Sequence, residues 1–309
     1  MSPTSRAVRF DRYGDRSVLY VADVEMPTPG TGDVLVEVRA SGINPGEAAI
    51  RSGALHEQFP ATFPSGQGSD LAGVVVGLGS GVTEFATGDA VMGWSWRRSA
   101  HATHVSVPAT QLLPKPAALS WEVAGSLYVV AAAATAAVGA VAPQPGETVA
   151  VSASAGGVGT VVVQLLARRG VQVLAIASPT HTDWLRDHGA VPVSRGADLG
   201  RRLQQAAPDG IDAFIDLFGP EYVQLAVALG VAPDRIETII SFAKAQEVGA
   251  RSVGSEDATS VEMLAEVVGL VAAGTLEIPV ASTYPLDDVV TAFAELERRR
   301  THGKIVLLP

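Results

Sequence analysis

Val149-Ala-Val-Ser-Ala-Ser-Ala-Gly156-Gly-Val-Gly159, followed without a break by Thr160-Val-Val-Val-Gln-Leu-Leu-Ala-Arg-Arg169, decides how this chain is read. An apolar run of strand type passes through a turn of small residues into an apolar run of helix type. Ser154 stands where a G-x-G-x-x-G fingerprint has its first glycine, so the motif reads Ala153-x-x-Gly156-x-x-Gly159. The physics of the fingerprint survives that change. Gly156 lets the backbone approach a pyrophosphate, and Gly159 lets the helix pack closely on the strand. The N-terminus of the helix supplies oriented N–H groups and a favourable dipole. Residues Ser154, Ala155, Gly156, Gly157, Val158 and Gly159 are therefore the expected phosphate cradle. The competing reading is a glycine-rich turn with no ligand, and the surrounding sequence decides between them.

Downstream of the cradle, strands and helices alternate. Strands are predicted at 148–152, 172–177, 192–194, 211–217 and 235–240, and helices at 157–169, 181–188, 199–206 and 221–229. This βαβ series implies a parallel, doubly wound Rossmann sheet, the context the fingerprint requires. NAD-binding folds place an Asp or Glu at the end of the second strand to hold the ribose 2′-hydroxyl. Here that position is Ser178. A carboxylate there would repel a 2′-phosphate, whereas a hydroxyl with His181 and Arg195 nearby accepts one, so NADPH is expected rather than NADH. His181 reads equally well as a solvated residue at a helix start.

Before the alternating region, short runs at 6–10, 18–24, 33–41, 71–77, 90–94 and 104–108 are separated by Gly and Pro turns, the pattern of a β-barrel or sandwich. After it come helices at 261–273 and 286–299, a short run at 277–280 and a final strand at 304–308. The chain of 309 residues thus reads as α/β in class. A mostly β domain (1–118 and 262–309) encloses a dinucleotide-binding domain (119–261). The Ala- and Val-rich stretch 117–141 is broken by Glu122, Gly125 and Gly139, so it reads as a buried helix pair rather than a membrane span. The opening residues have no apolar signal-peptide core, and a cytoplasmic protein is expected. With 22 basic and 32 acidic side chains the net charge is -10, which argues against a nucleic-acid partner. There is no cysteine, hence no disulfide, no thiolate zinc site and no thiol nucleophile. His101 and His104 are three residues apart, which puts them on opposite faces of a strand. They read as ordinary strand and surface histidines, and no metal site is expected.

Six segments, in order, resemble the zinc-free quinone oxidoreductase branch of the medium-chain dehydrogenase/reductase superfamily. They are Ser41-Gly-Ile-Asn44-Pro-Gly-Glu47 through Gly53, Gly68-Ser-Asp70-Leu-Ala-Gly73, Val82 through Gly88-Asp89, Ala134-Thr135-Ala136, Ala153–Gly159, and Tyr284-Pro-Leu286 through Gly303-Lys304-Ile-Val306. The resemblance implies a GroES-like catalytic domain, with the cofactor in the cleft between it and the Rossmann domain. It also implies a homodimer. In the zinc alcohol dehydrogenases of the superfamily a Cys aligned with Asn44 binds the catalytic metal, and Asn44 cannot replace its thiolate. The resemblance further implies that Asn44 and Thr135 act beside the nicotinamide, Asn44 donating a hydrogen bond from its amide, and that Phe242 and Lys304 contact the cofactor. Turn capping, helix packing and core filling are the structural alternatives for Asn44, Thr135 and Phe242. The sequence departs from the pattern at Glu47, where aspartate is common, and at Ala48 and Ala49, where a tyrosine is common. A larger or more apolar pocket follows.

The expected reaction is hydride transfer from NADPH to a quinone or to the β-carbon of an α,β-unsaturated carbonyl. The protein supplies position and dryness, and backbone N–H groups or Asn44 face the oxygen that gains charge. No side chain stands out as general acid: Tyr128 lies in a helical, core-like context, and water is the expected proton source. A short-chain dehydrogenase is disfavoured because none of the five tyrosines has a lysine four residues later. A non-catalytic NADPH-binding redox sensor of the same fold is the alternative from another class.

Overall fold

The computed structural model describes residues 4–309, which divide into two compact units. The first comprises the residues up to Val129 together with Leu264–Pro309, and the second comprises Val130–Met263. In the first unit the amino-terminal part contributes β1 (Thr4–Phe10), β2 (Tyr20–Glu25), β3 (Asp33–Gly42), β4 (Ser65–Gly66), β5 (Asp70–Leu78), β6 (Ala90–Trp94), β7 (His104–Pro108) and β8 (Leu112–Pro114). β3 follows the period-two rule: Val34, Val36 and Val38 point inward and pack with Leu71, Val75, Val91, Val105 and Val107. One helix here, α1 (Pro45–Ser52), has no counterpart in the sequence reading. Its signals are those of capping rather than of apolar period. Asn44 is the N-cap, Pro45 follows it, the Glu47 carboxylate accepts from the Asn44 N–H at 2.9 Å, and Gly53 closes the helix at φ 85°. The first unit runs past residue 118 because α2 (Trp121–Ala124) packs on β3 and β5.

The second unit begins within α3 (Tyr128–Val141) and continues β9 (Thr148–Val151), α4 (Gly157–Arg168), β10 (Gln172–Ala177), α5 (Thr182–Asp187), β11 (Ala190–Ser194), α6 (Leu199–Ala206), β12 (Ala213–Asp216), α7 (Pro220–Ala228) and β13 (Ile236–Thr238). The strands form one sheet in the order β11-β10-β9-β12-β13, every pair parallel. The order reverses between β10 and β12, the switch point of a doubly wound fold. Every residue of β9, β12 and β13 is buried, as strands covered on both faces require. A helix unforeseen in the sequence, α8 (Phe242–Val248), follows β13.

The chain then returns through α9 (Val261–Ala272) to β14 (Val280–Pro285), α10 (Val289–Glu297) and β15 (Lys304–Leu308). The run expected at 277–280 is not a strand. Leu276 and Ile278 are buried individually, and the strand starts at Val280, where parallel pairing with β15 begins. β15 also pairs antiparallel with β3, and the first unit's large sheet runs β14-β15-β3-β5-β6-β8, with β7 on β3. Val8, Phe10, Ile43, Val289, Phe293, Ile305 and Leu307 share a core that joins the two ends of the chain. Beside it the buried Arg51 guanidinium reaches Glu297 at 2.6 Å and lies 5.0 Å from the Phe293 ring centroid. Among the described residues no helix is long and apolar enough to cross a membrane.

Glu237 is an exception to the apolar interior of the parallel sheet. It is fully buried in β13; one carboxylate oxygen accepts from Val253 N–H at 2.8 Å and the other has no partner. Burial outweighs the opposing pull of that bond and of Arg251, and the carboxyl pKa is pushed up to about 7. Its folded value therefore lies above its unfolded value, and ionisation between them costs the folded state. Glu237→Gln should be neutral below pH 4.5 and stabilising above pH 7, by up to roughly 3 kcal/mol. Thermal midpoints across that window test this; equal midpoints for variant and wild type at pH 8 would contradict it.

Candidate functional site

In the second unit, the turn after β9 is shaped by one strained residue and one obligatory glycine. Ala153 adopts φ 47°, in the left-handed region that favours glycine. A Cβ on Gly159 would stand 2.2 Å from the Ala153 carbonyl oxygen and 2.7 Å from Ser154 Cα, so no other residue fits without moving backbone. Gly156 is different: its Cβ would meet only the Ala153 oxygen, at 3.3 Å, and the space over it stays open for approach. α4 starts at Gly157, which leaves the first-turn N–H groups of Gly157, Val158 and Gly159 without intrahelical acceptors. Gly156, Gly157 and Val158 are partly exposed. This open backbone, with its N–H donors and no neighbouring carboxylate in the turn, fits a pyrophosphate. Ser154 and Ala155 are buried, and the Ser154 hydroxyl donates to Val151 O at 2.7 Å. From these two positions the side chains face the fold.

Ser178, His181 and Arg195 come together at the carboxyl ends of neighbouring strands. Ala177 pairs with Ser194, and Arg195 N–H donates to Ala177 O at 3.1 Å. The Ser178 hydroxyl accepts from Thr180 at 3.0 Å. Partial burial, followed by the positive charge of Arg195, holds the His181 pKa below its usual value. A clamp elsewhere at the carboxyl edge of the sheet was not foreseen. Asp216, at the end of β12, is fully buried and accepts from Ser152 Oγ (2.8 Å), Phe218 N (2.9 Å), Gly219 N (3.0 Å), Thr238 Oγ1 (2.8 Å) and Ser241 Oγ (3.1 Å). It ties the carboxyl ends of β9, β12 and β13 together. Thr135 is the partly exposed residue in the otherwise buried run 131–138, and Phe242 is 40% exposed at the start of α8.

In the first unit Asn44 lies in a buried charged cluster. Its Oδ1 accepts from Lys304 Nζ at 2.5 Å, and its Nδ2 donates to Asp70 Oδ2 at 3.0 Å and to Glu47 Oε1 at 3.3 Å. Lys304 also donates to Asp70 Oδ2 at 3.1 Å and to Ile43 O at 3.3 Å. Asp70 Oδ1 accepts from Val129 N at 2.7 Å, near the start of α3, and Glu47 Oε1 also accepts from Ser69 N at 2.9 Å. All four side chains are at most 4% exposed. Lys304 therefore spends its three protons inside the protein. His101 corrects the sequence reading: it is neither in a strand nor at the surface, but 1% exposed, its Nε2 at 3.3 Å from Gly42 O and 3.7 Å from Glu47. Since both neighbours are acceptors, Nε2 carries the proton. His104 does lie in a strand, β7, half-buried.

The cluster does not fit a zinc ion. Each oxygen of Asp70 and Glu47 already accepts an N–H bond, and no thiolate is present. Among the described residues no group of three His, Asp or Glu side chains is placed to hold a metal.

Two family models match the chain: a zinc-binding dehydrogenase model over residues 187–307 and an alcohol dehydrogenase GroES-like domain over residues 30–117. A quinone oxidoreductase of Pseudomonas aeruginosa is 28% identical, over 99% of this chain and 100% of its own length. Polyketide synthase GfsB of Streptomyces halstedii is 31% identical over 89% of this chain, which spans only 5% of that protein. Among solved structures, the quinone oxidoreductase from Coxiella burnetii superposes with a TM-score of 0.89 at 27% identity, covering 99% of this chain and 100% of that one.

The cluster makes its own prediction. Lys304→Met should lower stability by about 3–5 kcal/mol, because Asp70 is left charged and buried without its cation. Adding Asp70→Asn should restore a large part of that loss. Additive losses in the double variant, read from unfolding midpoints, would contradict the pairing.

Proposed function

We propose that this chain, which belongs to the quinone oxidoreductase branch of the medium-chain dehydrogenase/reductase superfamily, reduces a quinone or an α,β-unsaturated carbonyl with NADPH and without zinc. The observation that carries the reading is the cluster around Asn44. At the position where zinc-dependent relatives hold a metal with thiolate, this chain has an amide saturated by an internal ammonium and two carboxylates. Asp70 is paired with Lys304 rather than with a metal, which suits an acceptor activated by its own conjugation.

NADPH, when bound, supplies a hydride; the acceptor takes it up with one proton from water, and NADP+ is released. The chain's own residues bind and orient. The N–H groups of Gly157, Val158 and Gly159 take the pyrophosphate, and Ser178, His181 and Arg195 take the 2′-phosphate. Thr135 and Phe242 offer partly exposed surface to the nicotinamide, and Ser154 and Ala155 shape the turn from within. Asn44 keeps the orientation set by Lys304 and Asp70 and shares with the acceptor oxygen the Nδ2–H that faces Glu47 at 3.3 Å, the cluster's longest bond together with that from Lys304 to Ile43 O. In this reading Lys304 acts through Asn44 and not by touching the cofactor.

Titration of nicotinamide fluorescence should show NADPH bound at least tenfold more tightly than NADH, since one added charge-assisted contact is worth about 1.5–3 kcal/mol. The advantage has a pH sign. A dianionic 2′-phosphate raises the His181 pKa in the complex, so the preference is largest near pH 6, about where the phosphate completes its second ionisation, and shrinks as pH rises through that raised value. His181→Ala should flatten the profile. Oxidation of NADPH on adding phenanthrenequinone or cyclohexenone supports the enzyme; binding without oxidation of either refutes it in favour of a sensor.

A further inference from the structure

Three aromatic residues of the first unit, Trp94, Trp96 and Tyr128, gather beside Asp70. Asp70 and Trp94 are directly opposed in the antiparallel pair β5–β6, which puts both side chains on one face of the sheet. Tyr128 precedes Val129, whose N–H is held by Asp70 Oδ1. The Trp94 and Tyr128 rings stack at 4.7 Å and 11°. Trp96 stands edge-on to both, at 6.5 Å and 6.2 Å, and its backbone N–H donates to Gln111 Oε1 at 3.3 Å. Trp94 and Tyr128 are buried, yet Trp96 is 47% exposed, so a supported indole surface is open beside the Asn44 cluster. In addition, the Trp94 indole N–H is buried with no acceptor. Such a donor is costly to leave unmet, and it signals a partner the protein itself does not supply.

We infer that Trp96 is the specificity-determining residue of the acceptor site and that it selects planar, polycyclic quinones over aliphatic enones. The inference rests on the activity proposed above and names its substrate class. An electron-poor fused ring stacks on the electron-rich indole of Trp96, and Trp94 Nε1–H is the donor for a quinone carbonyl that slides in beneath that ring. An aliphatic enone has neither the area to stack nor a second carbonyl to present.

The test compares Trp96→Ala, Trp96→Phe and Trp94→Phe with wild type. The ratio of kcat/KM for phenanthrenequinone to that for cyclohexenone should fall about tenfold in Trp96→Ala, mainly through KM, and recover in Trp96→Phe. Trp94→Phe, which keeps a ring and deletes the N–H, should lower the same ratio. An unchanged ratio in Trp96→Ala overturns the inference. If neither acceptor oxidises NADPH, the activity fails while the docking remains testable. The midpoint of saturable tryptophan quenching by phenanthrenequinone without cofactor should then lie at a higher quinone concentration in Trp96→Ala than in wild type and Trp96→Phe, and equal midpoints overturn it.

Discussion

The ammonium of Lys304 is the point on which the first unit depends. It lies in β15, near the end of the chain, and its partners are Asp70, 234 residues earlier, and Asn44, 260 residues earlier. A lysine this deeply buried is tolerated only with complete pairing, and here all three protons meet oxygen. The same carboxylate that holds Lys304 also receives the Val129 N–H and the Asn44 amide. One ion pair thus fixes the register of β15 on β3, the start of α3 and the rotamer of Asn44. A mobile Asn44 would present its amide in several directions; this one has a single direction to offer.

The second unit solves a similar problem with the opposite sign. Asp216 is a buried anion with no cation in contact, surrounded by five N–H and O–H donors. Saturation by neutral donors lets it bridge three strand ends without adding positive charge near the cradle. The strained Ala153 and the steric demand at Gly159 then set the path of the turn on which the phosphate reading rests.

Much of this architecture was legible in the sequence because apolar runs between Gly and Pro have few alternatives. The strands at 90–94, 104–108, 172–177 and 304–308 and the helix at 199–206 have the bounds read from the sequence. α1 escaped because Pro-Gly-Glu-Ala-Ala-Ile-Arg-Ser carries little apolar period; Asn44, Pro45, Glu47 and Gly53 announced it only through capping. The strand after α9 was misplaced because its alternation is half-buried against exposed and its start is set by pairing with β15. For the site, the turn that carries the cradle reading is formed by eleven consecutive residues, so its shape is local. Asp70, Glu47 and Lys304 were visible as motif members, but their mutual bonds depend on strand registers that join distant segments. The indoles beside Asp70 were hidden for the same reason.

That the first unit is assembled from both flanks of the chain also has a consequence for how the protein is made. Residues 130–263 are contiguous and pair only with parallel neighbours of their own, so they can close while the ribosome is still at work. The amino-terminal strands emerge earlier yet wait longer. Until residues 304–308 arrive, the Ser41–Gly42 end of β3 lacks its partner, and Asp70 and Asn44 are without their cation. The amino-terminal strands, made before the second unit, are therefore completed after it, and they pass through that interval with the Ser41–Gly42 end of β3 unpaired, the feature a chaperone would have most reason to cover.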